Sequence, residues 1–85
     1  MTSPTFVCQF SDGVVTKMTT HCTPDNLDLR RGITLAHLAY RSRTGKQPPP
    51  IADARFQTLD GVVLHEYDTK AITDAGYDGA VAEVA

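Results

Sequence analysis

The sequence predicts an α+β fold in which two similar β-hairpins form one four-stranded antiparallel sheet and a single central helix packs on one face of it. A ten-residue segment that begins at Phe6 recurs 48 residues later, and each copy has an Asp-Gly pair between runs rich in β-branched and aromatic residues. Between the copies, residues 28–44 carry apolar side chains at helical spacing. The predicted order is therefore ββαββ, followed by a short C-terminal helix.

The internal repeat relates residues 6–15 to residues 54–63, and the two copies share Gln, Asp, Gly, Val and Val. An Asp-Gly pair between such runs is typical of a tight hairpin turn, in which glycine adopts the positive φ that other residues avoid. Both copies are therefore predicted to be hairpins, over residues 5–20 and 53–67.

The register of each hairpin follows from the pairing that gathers the bulky side chains on one face. In the first hairpin this pairing places Phe6 opposite Met18, and in the second it places Phe56 opposite Leu64. The residues expected to face the helix are Phe6, Cys8, Phe10, Val14, Met18, Ala54, Phe56, Val62 and Leu64. The other face is expected to carry Val7, Val15, Val63 and Tyr67 beside Gln9, Lys17, Arg55, Gln57 and His65.

The central helix has recognisable ends and one apolar stripe. Asp28 is a good N-cap residue, and Gly45 suits the left-handed position just past the C-terminus. The stripe expected to pack on the sheet consists of Leu29, Ile33, Ala36 and Tyr40. Gly32 lies beside this stripe, where the missing side chain permits a close approach to the sheet.

The remaining segments complete a single predicted domain, 1–85. Residues 47–50 contain three consecutive prolines and are expected to form a stiff, extended connector. Asp68 is expected to cap a short helix over residues 69–75, and residues 77–85 are expected to be a loose tail.

Charge is distributed unevenly along the chain, whose net charge is −2. Residues 27–52 contain five cations and one acid, a sum of +4, whereas residues 53–85 contain two cations and seven acids, a sum of −5. A basic segment of this kind binds either an anionic partner or the acidic C-terminal part of its own chain. The charge pattern leaves both alternatives open.

A second apolar element lies on the helix, away from the stripe. Leu35 and Leu38 share the outer side of the helix with Arg31, and this surface either contacts a partner or is covered by the C-terminal segment that contains Ala80, Val81 and Val84. One helix covers only one face of the sheet, so the other face is also a candidate contact surface. The predicted partner-binding residues are Leu35, Leu38, Arg31, Val7, Val15, Val63 and Tyr67.

The basic helix also supports a nucleic-acid interpretation, because a row of cations on one helix can contact phosphates. The residues that would carry this activity are Arg30, Arg31, Arg41, Arg43 and Lys46. The acidic sequence pI of about 5.8 weighs against it, because most nucleic-acid-binding domains are basic.

The sequence predicts no catalytic residue, no metal site and no cofactor. The candidate ligands Cys8, His21, Cys22, His37 and His65 lack the spacings of zinc-binding motifs. No carboxylate pair or Ser/His/Asp set is placed for catalysis, so an enzyme is not expected. The chain also has no apolar run of signal-peptide or membrane-spanning length, which predicts a cytoplasmic protein without membrane association.

Together these features predict a non-catalytic interaction or regulatory module. Its expected partner is a second copy, in a homodimer, or another protein. The alternative is a nucleic-acid-binding accessory protein that uses the basic helix.

Overall fold

The computed structural model describes residues 3–75 and confirms the α+β fold class. The elements in chain order are β1 (Thr5–Phe10), β2 (Val15–Thr19), α1 (Leu29–Thr44), β3 (Ile51–Gln57), β4 (Val63–Tyr67) and α2 (Thr69–Asp74). The four strands form one sheet in the order β2-β1-β3-β4, and every neighbouring pair is antiparallel. The predicted tail, residues 77–85, lies outside the described residues. No helix in the described part of the chain is both long enough and apolar enough to cross a membrane.

Both hairpins turn through the same hydrogen bonds, as the repeat predicts. In residues 10–14 and in residues 58–62 the first N–H donates to the last carbonyl at 2.8 Å. Each three-residue turn ends on a glycine with positive φ, +93° at Gly13 and +94° at Gly61. Glycine is favoured at both positions because a Cβ atom makes this backbone conformation costly.

The pairing of the two central strands, β1 and β3, obeys the repeat. Phe6 lies opposite Phe56, and Cys8 lies opposite Ala54. In the repeat, Ala54 corresponds to Phe6, and Phe56 corresponds to Cys8. If each residue of the Phe6–Phe56 pair is replaced by its counterpart in the other copy, the result is the Cys8–Ala54 pair. A pseudo-two-fold axis therefore passes between β1 and β3, and the chain consists of two ββα units of unequal helix length.

The predicted register of the second hairpin is wrong by one residue beyond the turn. A β-bulge in the β3–β4 pairing places Phe56 opposite His65 rather than Leu64. Because of the extra residue, the β4 side chains beyond the bulge point to the opposite face of the sheet from the one predicted. Tyr67 therefore lies opposite Ala54, on the face that packs against the helices. The Tyr67 ring centroid is 6.1 Å from that of Phe56. Tyr67 is therefore not on the outer sheet face, where the sequence pattern placed it.

Two valines differ from their predicted exposure. Val62, expected in the core, is 61% exposed, because it belongs to the turn end of the hairpin and not to the packed part of the sheet. Val7, expected on an open face, is only 2% exposed. Val7 lies on a central strand between Lys17 and Arg55, whose long apolar stems share its face of the sheet.

The core lies between the sheet and the two helices. Asp28 accepts a hydrogen bond from the Arg31 N–H at 3.1 Å, and Gly45 has φ of +73°, so both predicted helix caps are confirmed. The described apolar side chains buried in this core belong to Phe6, Cys8, Phe10, Ile33, Ala36, Tyr40, Ile51, Ala54, Phe56 and Ile72.

His37 is an unexpected member of the buried face of α1. Its side chain is 2% exposed, and its ring centroid lies 6.2 Å from that of Phe10. Burial lowers the pKa of His37, and the positive charge of Arg41 lowers it further. The folded protein therefore holds this imidazole in its neutral form over a wider pH range than the unfolded chain does.

We expect this burial to make the protein less stable in mild acid. Below the ordinary imidazole pKa of 6.5 the unfolded chain binds a proton that the folded protein binds less readily, so the free energy of unfolding decreases as the pH falls. The slope from this group is at most about 1.4 kcal/mol per pH unit. Urea denaturation between pH 7 and pH 5 measures it. His37→Gln should flatten the slope, and equal slopes in the two proteins would contradict the assignment.

Candidate interaction surface

The outer surface of α1, defined here by Arg31, Leu35 and Leu38, is the most apolar exposed part of this helix. Leu38 is 52% exposed and Leu35 is half-buried. Arg31 precedes Leu38 by two helical turns and Arg41 follows it by three residues, so both guanidinium groups flank the leucine. The surface therefore combines an apolar centre with a cationic border.

A shallow depression adjoins the N-terminal half of this surface. It is lined by Asp28, Arg30, Arg31, Thr34 and Leu35. Asp28 is occupied as the helix N-cap, where its carboxylate accepts from the Arg31 N–H. The two arginines of the depression are exposed, which makes them available to a partner.

The cations of α1 have no carboxylate partners in the described part of the chain. Within residues 3–75 the single ion pair joins Arg55 to Asp53, at 3.3 Å. The alternative that the basic segment pairs with the acidic C-terminal third is therefore not realised by residues 53–75. The C-terminal segment that could cover Leu35 and Leu38 lies beyond the described range.

The five cations of the nucleic-acid interpretation do not lie together in one site. Arg30 and Lys46 are separated by the whole helix, about 24 Å at 1.5 Å per residue. Arg43 donates a hydrogen bond to the Val15 carbonyl at 2.7 Å, so this guanidinium ties the end of α1 to the edge strand β2. Arg30 and Arg31 remain as a smaller cationic site at the start of the helix.

The seven predicted partner-binding residues also fall into separate places. Arg31, Leu35 and Leu38 lie together on α1. Val15 and Val63 remain partly exposed, but they lie on the two opposite edge strands, about 14 Å apart across the sheet at the usual strand spacing, and also about 13 Å apart along the strands because they are at opposite ends of the sheet. Val7 is buried between them and Tyr67 faces the helices, so the outer sheet face carries no continuous apolar patch.

One apolar surface was predicted only in part, because Val63 is among the predicted partner-binding residues whereas Leu59 and Val62 are not. It lies at the turn of the second hairpin, where Leu59, Val62 and Val63 are 75%, 61% and 46% exposed. We call these three residues the hairpin-2 surface. The available signal was Leu59 itself, because the first hairpin has Ser11 at the corresponding position of the repeat.

An acidic depression lies at the far end of β4. It is lined by Ala52, Asp53, Glu66, Tyr67, Asp68 and Thr69. Asp53 is paired with Arg55, and Asp68 caps α2 by accepting from the Ala71 N–H at 2.8 Å. Burial is the main reason that the pKa of Tyr67 is raised, so its hydroxyl stays protonated. Two carboxylates of this depression, those of Asp53 and Asp68, thus have structural roles in the fold.

The cysteines and histidines form no reactive cluster in the part of the chain that the structure describes. Burial raises the pKa of the Cys8 thiol to about 12, which leaves no thiolate near neutral pH. Cys22 is also a free thiol, and its Sγ lies 3.0 Å from the Thr20 hydroxyl oxygen. Among residues 3–75 no three His, Cys, Asp or Glu side chains are grouped to hold a metal ion.

Comparisons of the chain with protein-family models, with curated proteins and with solved structures found no match.

Proposed function

We propose that this protein is a non-catalytic interaction module that forms a homodimer through the outer surface of α1. The supporting observation is that Leu38 remains 52% exposed at the centre of that surface although the core is closed without it. Complete burial of an exposed leucine contributes about 1.5–3 kcal/mol. Because Leu38 is 52% exposed, about half of this contribution is not supplied by residues 3–75 and is available from a partner. The cytoplasmic location stays a prediction.

Two further properties favour a protein partner. The arginines beside Leu38 lack carboxylate partners in residues 3–75, so they are free to pair with acidic groups across an interface. Arginine is also enriched in such interfaces. A domain of 85 residues buries a limited share of its surface, and a second subunit adds to its stability.

The test is the mass of the protein in solution. Sedimentation equilibrium should give twice the mass of the 9.2 kDa chain, and Leu35→Asp with Leu38→Asp should weaken association at least tenfold while the circular dichroism spectrum is retained. Gln47→Asp with Thr73→Asp adds the same two charges at exposed positions elsewhere and should leave the mass unchanged. A parent protein that is monomeric at 1 mM would exclude self-association.

A second candidate function is nucleic-acid binding at the start of α1. It is supported by the exposed Arg30 and Arg31, which line one depression with no carboxylate pairing within residues 3–75. Two phosphate contacts predict a log–log slope of affinity against salt of about −2. Titration of mixed-sequence duplex DNA at 50 and 200 mM salt measures this slope, and Arg30→Ala with Arg31→Ala should abolish it. Absence of binding at 50 mM salt would exclude this candidate.

A further inference from the structure

The two hairpin turns have the same backbone but different surroundings. At the first turn, Asp12 accepts a hydrogen bond from the Tyr40 hydroxyl at 2.5 Å, and the Tyr40 ring lies 4.7 Å from that of Phe10. The Arg43 guanidinium binds the Val15 carbonyl of the same hairpin. The C-terminal half of α1 therefore covers the first turn through an aromatic ring, a hydroxyl and a cation.

The second turn lacks these contacts in the part of the chain that is described. The repeat places Asp60 where the first hairpin has Asp12, and Val63 where it has Val15. Asp60 is exposed, and no side chain of residues 3–75 donates to its carboxylate. Leu59 and Val62, which flank this carboxylate, are the two most exposed large apolar residues of the structure described. By analogy with the first hairpin, a helix with apolar and hydrogen-bond-donating side chains fits this surface.

The outer surface of α1 has this chemistry. Leu35 and Leu38 match the apolar side chains of the hairpin-2 surface, and Arg31 supplies the donor that the Asp60 carboxylate lacks. Opposite charges flank an apolar centre on the two surfaces, which is the complementarity expected of two surfaces that bind one another.

The N-terminal part of the α1 surface, which carries Arg31 and Leu35, lies toward the same end of the sheet as the second turn. A Cβ atom on Gly32 would be 2.8 Å from the Phe6 ring, so the N-terminal half of α1 lies directly over Phe6. Phe6 pairs with Phe56, which is close to the second turn. A two-fold axis near this end can therefore bring the α1 surface of each copy against the hairpin-2 surface of the other, and the resulting dimer is closed by two identical contacts.

We propose that the hairpin-2 surface is the binding site for the outer surface of α1 in a second copy of this chain. This inference rests on the proposed function and adds the identity of the opposing surface. In the proposed dimer each contact joins two different surfaces, whereas in a dimer in which α1 packs against α1 the contact joins two identical surfaces.

The two arrangements respond differently to substitutions at the second turn. Leu59→Asp with Val62→Asp should weaken association at least tenfold when measured by sedimentation equilibrium. Leu38→Asp alone should have the same effect, because it places a charge at the centre of the α1 surface. Ser11→Asp is the matched control for Leu59→Asp, because it adds the same charge at the corresponding position of the first turn, and it should leave association unchanged. If the double aspartate variant does not fold by circular dichroism, Leu59→Ser with Val62→Thr replaces it.

Mixing the variants is the decisive measurement. A dimer of the Leu38→Asp chain with the Leu59→Asp/Val62→Asp chain retains one unaltered contact, so the equimolar mixture should associate at least tenfold more tightly than either variant alone. If the dimer instead forms through α1–α1 contacts, mixing does not restore association of the Leu38→Asp chain, and the Leu59→Asp/Val62→Asp variant dimerises as tightly as the parent. That result, with a dimeric parent and a monomeric Leu38→Asp variant, overturns this inference and leaves the proposed function intact. A monomeric parent overturns both.

Discussion

Phe56→Ala should lower the free energy of unfolding by about 3–5 kcal/mol, the range for truncation of a fully buried phenylalanine. The Phe56 side chain is completely buried, and its ring centroid lies 4.9 Å from that of Phe6 on the neighbouring central strand. This ring pair joins the two ββα units at the pseudo-two-fold axis. Small domains are stable by only about 5–15 kcal/mol, so the variant should be close to unfolding at room temperature.

Urea denaturation followed by circular dichroism, at one fixed protein concentration, measures this loss. Phe56→Leu is the matched control and should lose about 1.5 kcal/mol or less, because it preserves most of the apolar volume. Leu59→Ala, on the same hairpin but 75% exposed, should change stability by no more than about 0.5 kcal/mol. A loss below 1 kcal/mol for Phe56→Ala would contradict a core centred on this ring pair.

The fold was predictable where a local pattern decides the structure. The first hairpin has a turn of defined length and alternating side chains, so only one register places Val14 and Met18 on the same face as Phe6, Cys8 and Phe10. The predicted Phe6–Met18 pair is confirmed, and Cys8 lies opposite Thr16 in the same register. The same holds for α1, whose apolar spacing and caps set its buried side and its ends.

The second hairpin was harder because its apolar residues do not alternate. Val62, Val63 and Leu64 are consecutive, so the sequence pattern does not reveal which of them faces the core. The β-bulge then moves Tyr67 to the side opposite the one predicted. A bulge depends on the fit of two strands to the helices above them, which no short segment encodes.

Which sheet residues are exposed depends on the order of the strands, and a single sequence does not provide this order. Val7 was expected to be exposed because it alternates with core residues, yet β1 is a central strand and its neighbours cover that position. The outer leucine of α1 was predicted correctly, since helical periodicity alone decides its side. The exposure of Leu59 was not predicted, because the Asp-Gly signal of a turn specifies its backbone and not the environment of the side chains beside it.

Gly32→Val should lower the free energy of unfolding by about 2–3 kcal/mol, even though valine has a better intrinsic helix propensity than glycine. A Cβ atom at this position would lie 2.8 Å from Cγ and Cδ1 of Phe6, closer than van der Waals contact allows. The Phe6 ring has little room to move away, because it packs against Phe56. The substitution therefore forces α1 away from the sheet or drives the ring from its preferred rotamer.

A double-mutant cycle separates this steric conflict from a general effect of valine in a helix. In the Phe6→Leu background the smaller side chain leaves space, so Gly32→Val should cost at least about 1 kcal/mol less than it does alone. Ser42→Val places the same β-branched residue at an exposed position of α1 and should change stability by no more than about 0.5 kcal/mol. If the stability losses of Gly32→Val and Phe6→Leu were strictly additive, the two residues would not be in contact. The close approach of α1 to the central strand at Gly32 would then be contradicted.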